Sequence, residues 1–262
     1  MSQYIDQLGR RVEIPSPPKR IISLVPSITE LLFDLGLDNE TAGITKFCVH
    51  PESWFKSKTR VGGTKTLHID QIQKLNPDLI IANKEENVQE QVEELAKHYP
   101  VWISDISKLE EALQMIEKIG EITGKANQAI KLAENVRRKF EEIPFKDIEQ
   151  KNAAYLIWQK PYMTIGSDTF IHDMLQYCGF QNVFGNKIRY PETSIDELKN
   201  LNVEILLLSS EPFPFQQKHI DELQLHLPKT KIILADGEMF SWYGSRLLLA
   251  AEYFKNINSK IK

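Results

Sequence analysis

The sequence predicts an α/β protein of two related lobes joined by one long central helix. Three observations carry this. A helical stretch lies at the middle of the chain, an ordered pattern recurs on either side of it, and short apolar runs alternate with amphipathic stretches. The middle stretch, Thr123 to Ile143 (TGKANQAIKLAENVRRKFEEI), puts Ala126, Ala129, Ile130, Ala133, Val136, Phe140 and Ile143 at the three-and-four spacing of one helix face. Thr123 is a candidate cap, good helix formers fill the interior, and Pro144 stops the pattern. At 1.5 Å per residue such a helix is roughly 30 Å long.

The recurring pattern begins with Ile69 to Ile81 (IDQIQKLNPDLII) and Ile195 to Leu207 (IDELKNLNVEILL). Both read Ile-Asp, a short helical pattern, Leu-Asn, then an acidic residue leading into an apolar run. Both continue into an amphipathic stretch with Glu-Leu-x-x-His-x-Pro, at Glu94, Leu95, His98 and Pro100 and again at Glu222, Leu223, His226 and Pro228. Each then enters a short apolar run, Val101 to Ser104 and Lys231 to Ala235. Two ordered matches at nearly constant offset mark a duplicated unit. The expected division is residues 1–122, a backbone helix over 123–143, and residues 144–262.

Taken in order, residues 4–20 suit a small hairpin turning at Leu8-Gly9. Ile21 to Leu24 reads as a buried strand. Ser27 with Glu30 has the pattern of a capping box, opening a helix that closes at Gly36. Strand, tight turn and helix are the start of a parallel α/β layer. Ala42 to Ile44 is a second strand, running into Thr45-Lys46-Phe47-Cys48-Val49-His50-Pro51. After Val61-Gly62-Gly63-Thr64 and the first repeat come strand 79–82, helix 88–98, strand 101–103 and helix 108–122. The second half has strand 153–158, a loop to Gly166, helix 170–177 ending at Gly179, strand 205–208, helix 216–225 and strand 232–235. The segment Asp236-Gly237-Glu238-Met239-Phe240-Ser241-Trp242-Tyr243-Gly244-Ser245-Arg246 then leads into a closing helix over 247–257.

Composition narrows the function. With 262 residues, 42% hydrophobic and 26% charged, the chain has an ordinary globular make-up. A net charge of -4 with basic residues spread throughout excludes a nucleic-acid footprint. No stretch reaches the ~18 apolar residues of a membrane span. The N-terminal MSQYIDQLGRRVEIPSPPKR has no apolar core of a signal peptide, which places the chain in the cytoplasm if the sequence is complete. Cys48 and Cys178 match no metal-finger or redox spacing and read as buried thiols in different lobes.

Catalytic signatures are missing: there is no Gly-x-Gly-x-x-Gly, Gly-x-Ser-x-Gly or His-Glu-x-x-His. Gly120 to Lys125 falls short of a phosphate loop and reads as a separator of two helices. His98 and His226 belong to the repeat and read as structural. Only His50, beside Cys48 in a loop, is a candidate metal ligand. The informative surface is aromatic: Phe47 and Trp54 in one lobe, Tyr162, Tyr190, Phe240, Trp242 and Tyr243 in the other. These lie after or beside strands, where α/β sheets take their ligands. Phe47 and Phe240 serve the core equally well, whereas the rings of Phe-Ser-Trp-Tyr are hard to bury together. A cleft between lobes lined by rings and a few polar groups suits a large flat ligand.

Several segments, RIISLVPSITELLFDLGL, VGG followed by IDQIQKLNPDLIIA, the central helix and GSRLLLAAEYF, together span almost the whole chain. They resemble the helical-backbone (class III) substrate-binding proteins, the receptors that serve ABC importers of cobalamin, ferric siderophores and haem. The final GEMFSWYGSRLLLAA brings the chain nearest to the cobalamin-binding branch. The resemblance implies two Rossmann-like lobes on a long helix, and a monomeric, extracytoplasmic protein that delivers a metal chelate to a permease without chemistry or an intrinsic cofactor. In the cobalamin receptors an aromatic before the first repeat covers the corrin. Here Thr64 or Lys65 stands at that place, while Tyr190 keeps an aromatic before the second repeat and Glu238 stands where an acid faces the ligand.

The expected ligand wall of the first lobe is Phe47, Cys48, His50, Gly63, Thr64 and Lys65, and that of the second Tyr162, Tyr190, Glu238, Trp242 and Arg246. Arg246 either meets a ligand carboxylate or pairs with Glu238. Asp70 and Asp196, matched in the repeats, fall at or next to the positions where the family docks on permease arginines, and either residue equally suits a helix cap. Two other readings stay open. A cytosolic carrier or sensor of a corrinoid or metal chelate would use the same site, and an enzyme would need Cys48, His50 and Glu238 to converge.

Overall fold

The structure, a computed structural model, describes residues 1–144 and 150–259, so the final residues of the expected second lobe and a short stretch near its start lie outside the described residues. The chain forms two compact units. The first comprises Met1–Asp105, Glu110–Arg137 and Tyr243–Arg246, and the second Ile106–Leu109, Arg138–Trp242 and Leu247–Lys262.

The first unit opens with a hairpin of β1 (Ser2–Ile5) and β2 (Arg11–Ile14), turning where Gly9 takes φ 77°. The buried Asp6 carboxylate organises that turn, accepting from the backbone N–H of Leu8 and Arg10 and pairing with the Arg10 guanidinium. Then follow β3 (Ile21–Ser23), α1 (Pro26–Asp34), β4 (Thr41–Ile44), α2 (Glu52–Ser57), β5 (Thr59–Arg60), α3 (Ile69–Leu75), β6 (Leu79–Asn83), α4 (Gln89–Ala96), β7 (Val101–Ser104), α5 (Leu109–Thr123) and α6 (Ala126–Glu141). The sheet order is β5-β4-β3-β6-β7, with every neighbouring pair parallel. Strands β3, β6 and β7 are buried along their whole length, as parallel strands covered on both faces must be. One side of the sheet packs Ile22, Leu24, Ile80 and Ala82 against Ile72 of α3 and Val92 and Leu95 of α4.

The second unit contains β8 (Lys151–Leu156), β9 (Tyr162–Met163), α7 (Phe170–Tyr177), β10 (Phe180–Asn182), β11 (Glu192–Thr193), α8 (Ile195–Asn200), β12 (Ile205–Ser209), α9 (Gln217–His226), β13 (Lys231–Ala235), α10 (Gly237–Ser241) and α11 (Leu247–Ser259). Its parallel sheet has the order β10-β8-β12-β13, and β9 pairs antiparallel with β11. This order is that of β4-β3-β6-β7, strand for strand. The duplicated sequence is therefore a duplicated topology: α3 to β6 and α8 to β12 are the same helix-to-strand step. Each step turns on an asparagine in the left-handed region, Asn76 at φ 45° and Asn202 at φ 50°. Asparagine tolerates that conformation better than most residues, which is why Leu-Asn recurs there.

The central helix is shorter than its periodicity predicts. Thr123 does not cap it but ends α5, its hydroxyl donating back to the Ile119 carbonyl, and Gly124 at φ 74° breaks the chain before α6 starts. Sixteen residues give about 24 Å rather than 30. The segment Gly120 to Lys125 does separate two helices, and Gly120 is required because a Cβ there would stand 2.2 Å from that of Ala129. The capping box at Ser27 and Glu30 is also not formed. Val25 is the N-cap, Pro26 opens α1, and Glu30 turns to another partner. No helix among the described residues is long and apolar enough to cross a membrane.

Candidate functional site

In a parallel sheet all strands end on one edge, and ligand loops gather there. In the first unit, the loop leaving β4 puts Phe47 half in solvent, at 50% exposure. Its ring lies along Gly63, where a Cβ would come within 3.0 Å of it, and the Lys46 ammonium sits 5.0 Å above its centre. Gly63 therefore serves close packing under an exposed ring. Thr64 is buried, with its carbonyl accepting from Asn87, whereas Lys65 is exposed and donates to the Glu85 carbonyl. His50 is partly buried.

Cys48 does not reach this surface. It is fully buried, within 3.1 Å of both the Thr29 and Thr45 hydroxyls, and burial pushes its thiol up. That environment suits neither ligand contact nor a nucleophile, which needs the thiolate. Cys178 is likewise buried and raised, and neither cysteine is in a disulfide. Trp54 finishes the core, edge-on to Phe33 at 5.4 Å. Among the described residues no three His, Cys, Asp or Glu side chains gather to hold a metal ion.

Arg246 is engaged by a carboxylate of its own unit. Its guanidinium forks onto Glu30, with Nε to Oε2 at 2.8 Å and Nη2 to Oε1 at 2.6 Å, the two side chains only 7% and 15% exposed. The pair belongs to the first unit, where Gly244 at φ 102° lets the same segment approach the Ser27 carbonyl, 3.2 Å from where a Cβ would be.

In the second unit Tyr162 lies on β9, partly buried against the core cluster of that unit. Tyr190 is partly buried under the Arg189 guanidinium, 5.5 Å from its ring centre. Glu238 sits in the first turn of α10, capped by the Asp236 carboxylate, which accepts from the Glu238 N–H. The three rings of Phe-Ser-Trp-Tyr, expected to resist common burial, are all buried: Phe240 at 0%, Trp242 at 7% and Tyr243 at 6% exposure. Phe240 packs on Tyr155 at 5.0 Å and on Phe254 at 4.9 Å, rings contributed by β8 and α11.

Three side chains of this edge were missed from sequence. Trp158, just past β8, is 41% exposed and braced edge-on by Phe213 at 5.8 Å. Phe213 rides on the loop after β12, whose backbone N–H donates to the Ile157 carbonyl. Glu211, on the same loop, accepts from Trp242 Nε1 at 3.1 Å and from the Ser241 hydroxyl at 2.7 Å, both on Oε1. Burial raises its carboxyl above the ordinary value, with Glu238 and Asp236 adding repulsion. The available signal was positional: Ser-Ser-Glu-Pro-Phe-Pro-Phe directly follows the strand of the second repeat.

Asp70 and Asp196 occupy the second position of α3 and α8, with His68 and Ser194 as N-caps. Neither aspartate is a cap. Both are exposed first-turn acids, where they complement the helix dipole.

Compared with known proteins, residues 21–229 match the family model described as periplasmic binding protein. The chain belongs to the periplasmic binding protein family. Among its relatives is the vitamin B12-binding protein of Photorhabdus laumondii, 28% identical over 239 residues that cover 90% of this chain and 86% of that one. The vitamin B12-binding protein of Yersinia pestis is 24% identical over 241 residues, 89% of this chain and 84% of its own. The fold is that of the periplasmic vitamin B12 binding protein of Vibrio cholerae, with a TM-score of 0.80 at 20% identity over 94% of this chain and 98% of the other. The periplasmic heme binding protein of the same organism gives 0.78 at 22% identity, over 91% and 98%. As in these periplasmic binding proteins, the chain is built from two α/β units with parallel sheets.

Proposed function

We propose that this chain is the substrate-binding protein of an ABC-type importer, taking up a corrinoid or a related metal chelate and performing no chemistry on it. The observation that carries this is the near full-length likeness to vitamin B12-binding proteins, both α/β units included. The edge chemistry agrees with it. Phe47 in the first unit and Trp158 in the second present exposed rings beside polar groups, the lining a large flat chelate needs. Each ring contributes at roughly 25 cal/mol per Å² of apolar area withdrawn from water. Tyr162, Tyr190 and Glu238 are the further proposed contacts of the second unit, and Gly63, Thr64, Lys65 and His50 of the first. Asp70 and Asp196 are the proposed docking charges for permease arginines, and the working compartment is extracytoplasmic.

The test is equilibrium titration of the purified protein with cyanocobalamin, haemin and a ferric catecholate, following tryptophan fluorescence. Cyanocobalamin is expected to bind at micromolar concentration or below, and Trp158→Ala to weaken it at least about tenfold, the loss of ~1.4 kcal/mol of ring contact. If none of the three chelates binds, the assignment is wrong.

A further inference from the structure

We infer that Glu211 is a ligand-selecting residue of this site: a pre-oriented carboxyl that takes an amide N–H of the ligand and turns away ligands bearing carboxylates. This deepens the proposed function and rests on it.

The geometry begins with the duplication. Glu85 and Glu211 stand at the same place in the two repeats, two residues beyond the last residue of β6 and of β12. In both, the glutamate N–H donates to the side chain of that last residue, Glu85 to Asn83 Oδ1 at 2.8 Å and Glu211 to Ser209 Oγ at 3.3 Å. The surroundings then diverge. In the first unit the intervening residue is Lys84, whose ammonium pairs with Asp105 just past β7, and Lys65 reaches the Glu85 carbonyl. In the second unit the intervening residue is Ser210, and the acid just past β13 is Asp236. Ser210 accepts from the Gly237 N–H and carries no charge. Glu238 and Asp236, both acidic, act on Glu211.

The Glu211 carboxyl is held in place. Oε1 takes both available donors, the buried Trp242 indole and the Ser241 hydroxyl. Oε2 accepts no hydrogen bond among the described residues. Gly237 is glycine because a Cβ there would lie 2.4 Å from Glu211 Cγ and 2.7 Å from Ser209 Oγ. The turn into α10 is therefore shaped around this side chain. An oriented carboxyl with one oxygen left over, partly buried beside two further acids, is matched by a donor without negative charge. The primary amides on the rim of a corrinoid have that chemistry. The carboxylates of a haem would meet like charge at low effective dielectric.

The experiment measures dissociation constants of cyanocobalamin and haemin for the wild type, Glu211→Gln and Glu211→Ala. Folding is checked by circular dichroism. Glutamine keeps an oxygen for Ser241 and Trp242 and removes only the charge, so haemin is expected to gain at least about fivefold relative to cyanocobalamin. Alanine removes the acceptor and is expected to weaken cyanocobalamin about tenfold. If the wild type binds either chelate and neither substitution changes the haemin-to-cyanocobalamin ratio by more than about twofold, Glu211 does not select and the inference falls while the function stands. If the wild type binds neither, the function and the inference fall together.

Discussion

Replacing Arg246 by methionine tests how the Tyr243–Arg246 segment is held. The guanidinium grips Glu30 through two hydrogen bonds, and both side chains are largely withdrawn from water. Methionine keeps much of the aliphatic stem but strands the Glu30 carboxylate. Breaking a buried pair from one side costs about 3–5 kcal/mol. Glu30 retains 15% exposure and can recover part of its hydration, so the lower end applies, about 3 kcal/mol. In a protein of this size that lowers Tm by roughly 6–12 °C. The assay is urea and thermal unfolding followed by circular dichroism. Each single variant, Arg246→Met and Glu30→Leu, is expected to be strongly destabilised, and the double variant to cost clearly less than the sum of the singles, because it leaves neither member of this pair stranded. A loss under about 1 kcal/mol for Arg246→Met, or a double variant that costs the sum of the singles, would refute the reasoning.

Two further outcomes follow from charges on the second repeat and its counterpart. Glu197 accepts from Lys187 at 2.7 Å and from Thr193 at 3.0 Å, and the lysine holds its carboxyl below the ordinary value of 4.5. A depressed folded-state value means stability present at neutral pH and lost as pH falls below that ordinary value. Glu197→Gln should therefore melt slightly below wild type at neutral pH, by about 0.5 kcal/mol for so exposed a pair, with the gap closing as pH falls below that ordinary value. Asp70→Asn with Asp196→Asn should cost little stability, since His68 and Ser194 are the caps, yet weaken binding to the cognate permease at least about tenfold in a pull-down titration. Unchanged binding would leave these acids only their helix-dipole role.

The duplicated topology is written in local pattern. Apolar periodicity, turn residues and the Leu-Asn step act over a few residues, so they mark α3 to β6 and α8 to β12 wherever the rest of the chain lies. The burial of both cysteines and the separation of two helices near Gly124 were legible for the same reason. Which functional-looking side chains remain at the surface depends instead on the packed chain. Trp54 and the three rings of Phe240, Trp242 and Tyr243 are withdrawn from the surface by packing against the rest of the chain. Arg246 finds the Glu30 carboxylate 216 residues away. Glu211 becomes notable only once Ser241 and Trp242, some 30 residues on, close over one of its oxygens. Local pattern sets backbone conformation and which face turns inward; burial and pairing depend on what arrives from elsewhere in the chain, and no spacing along the sequence records that.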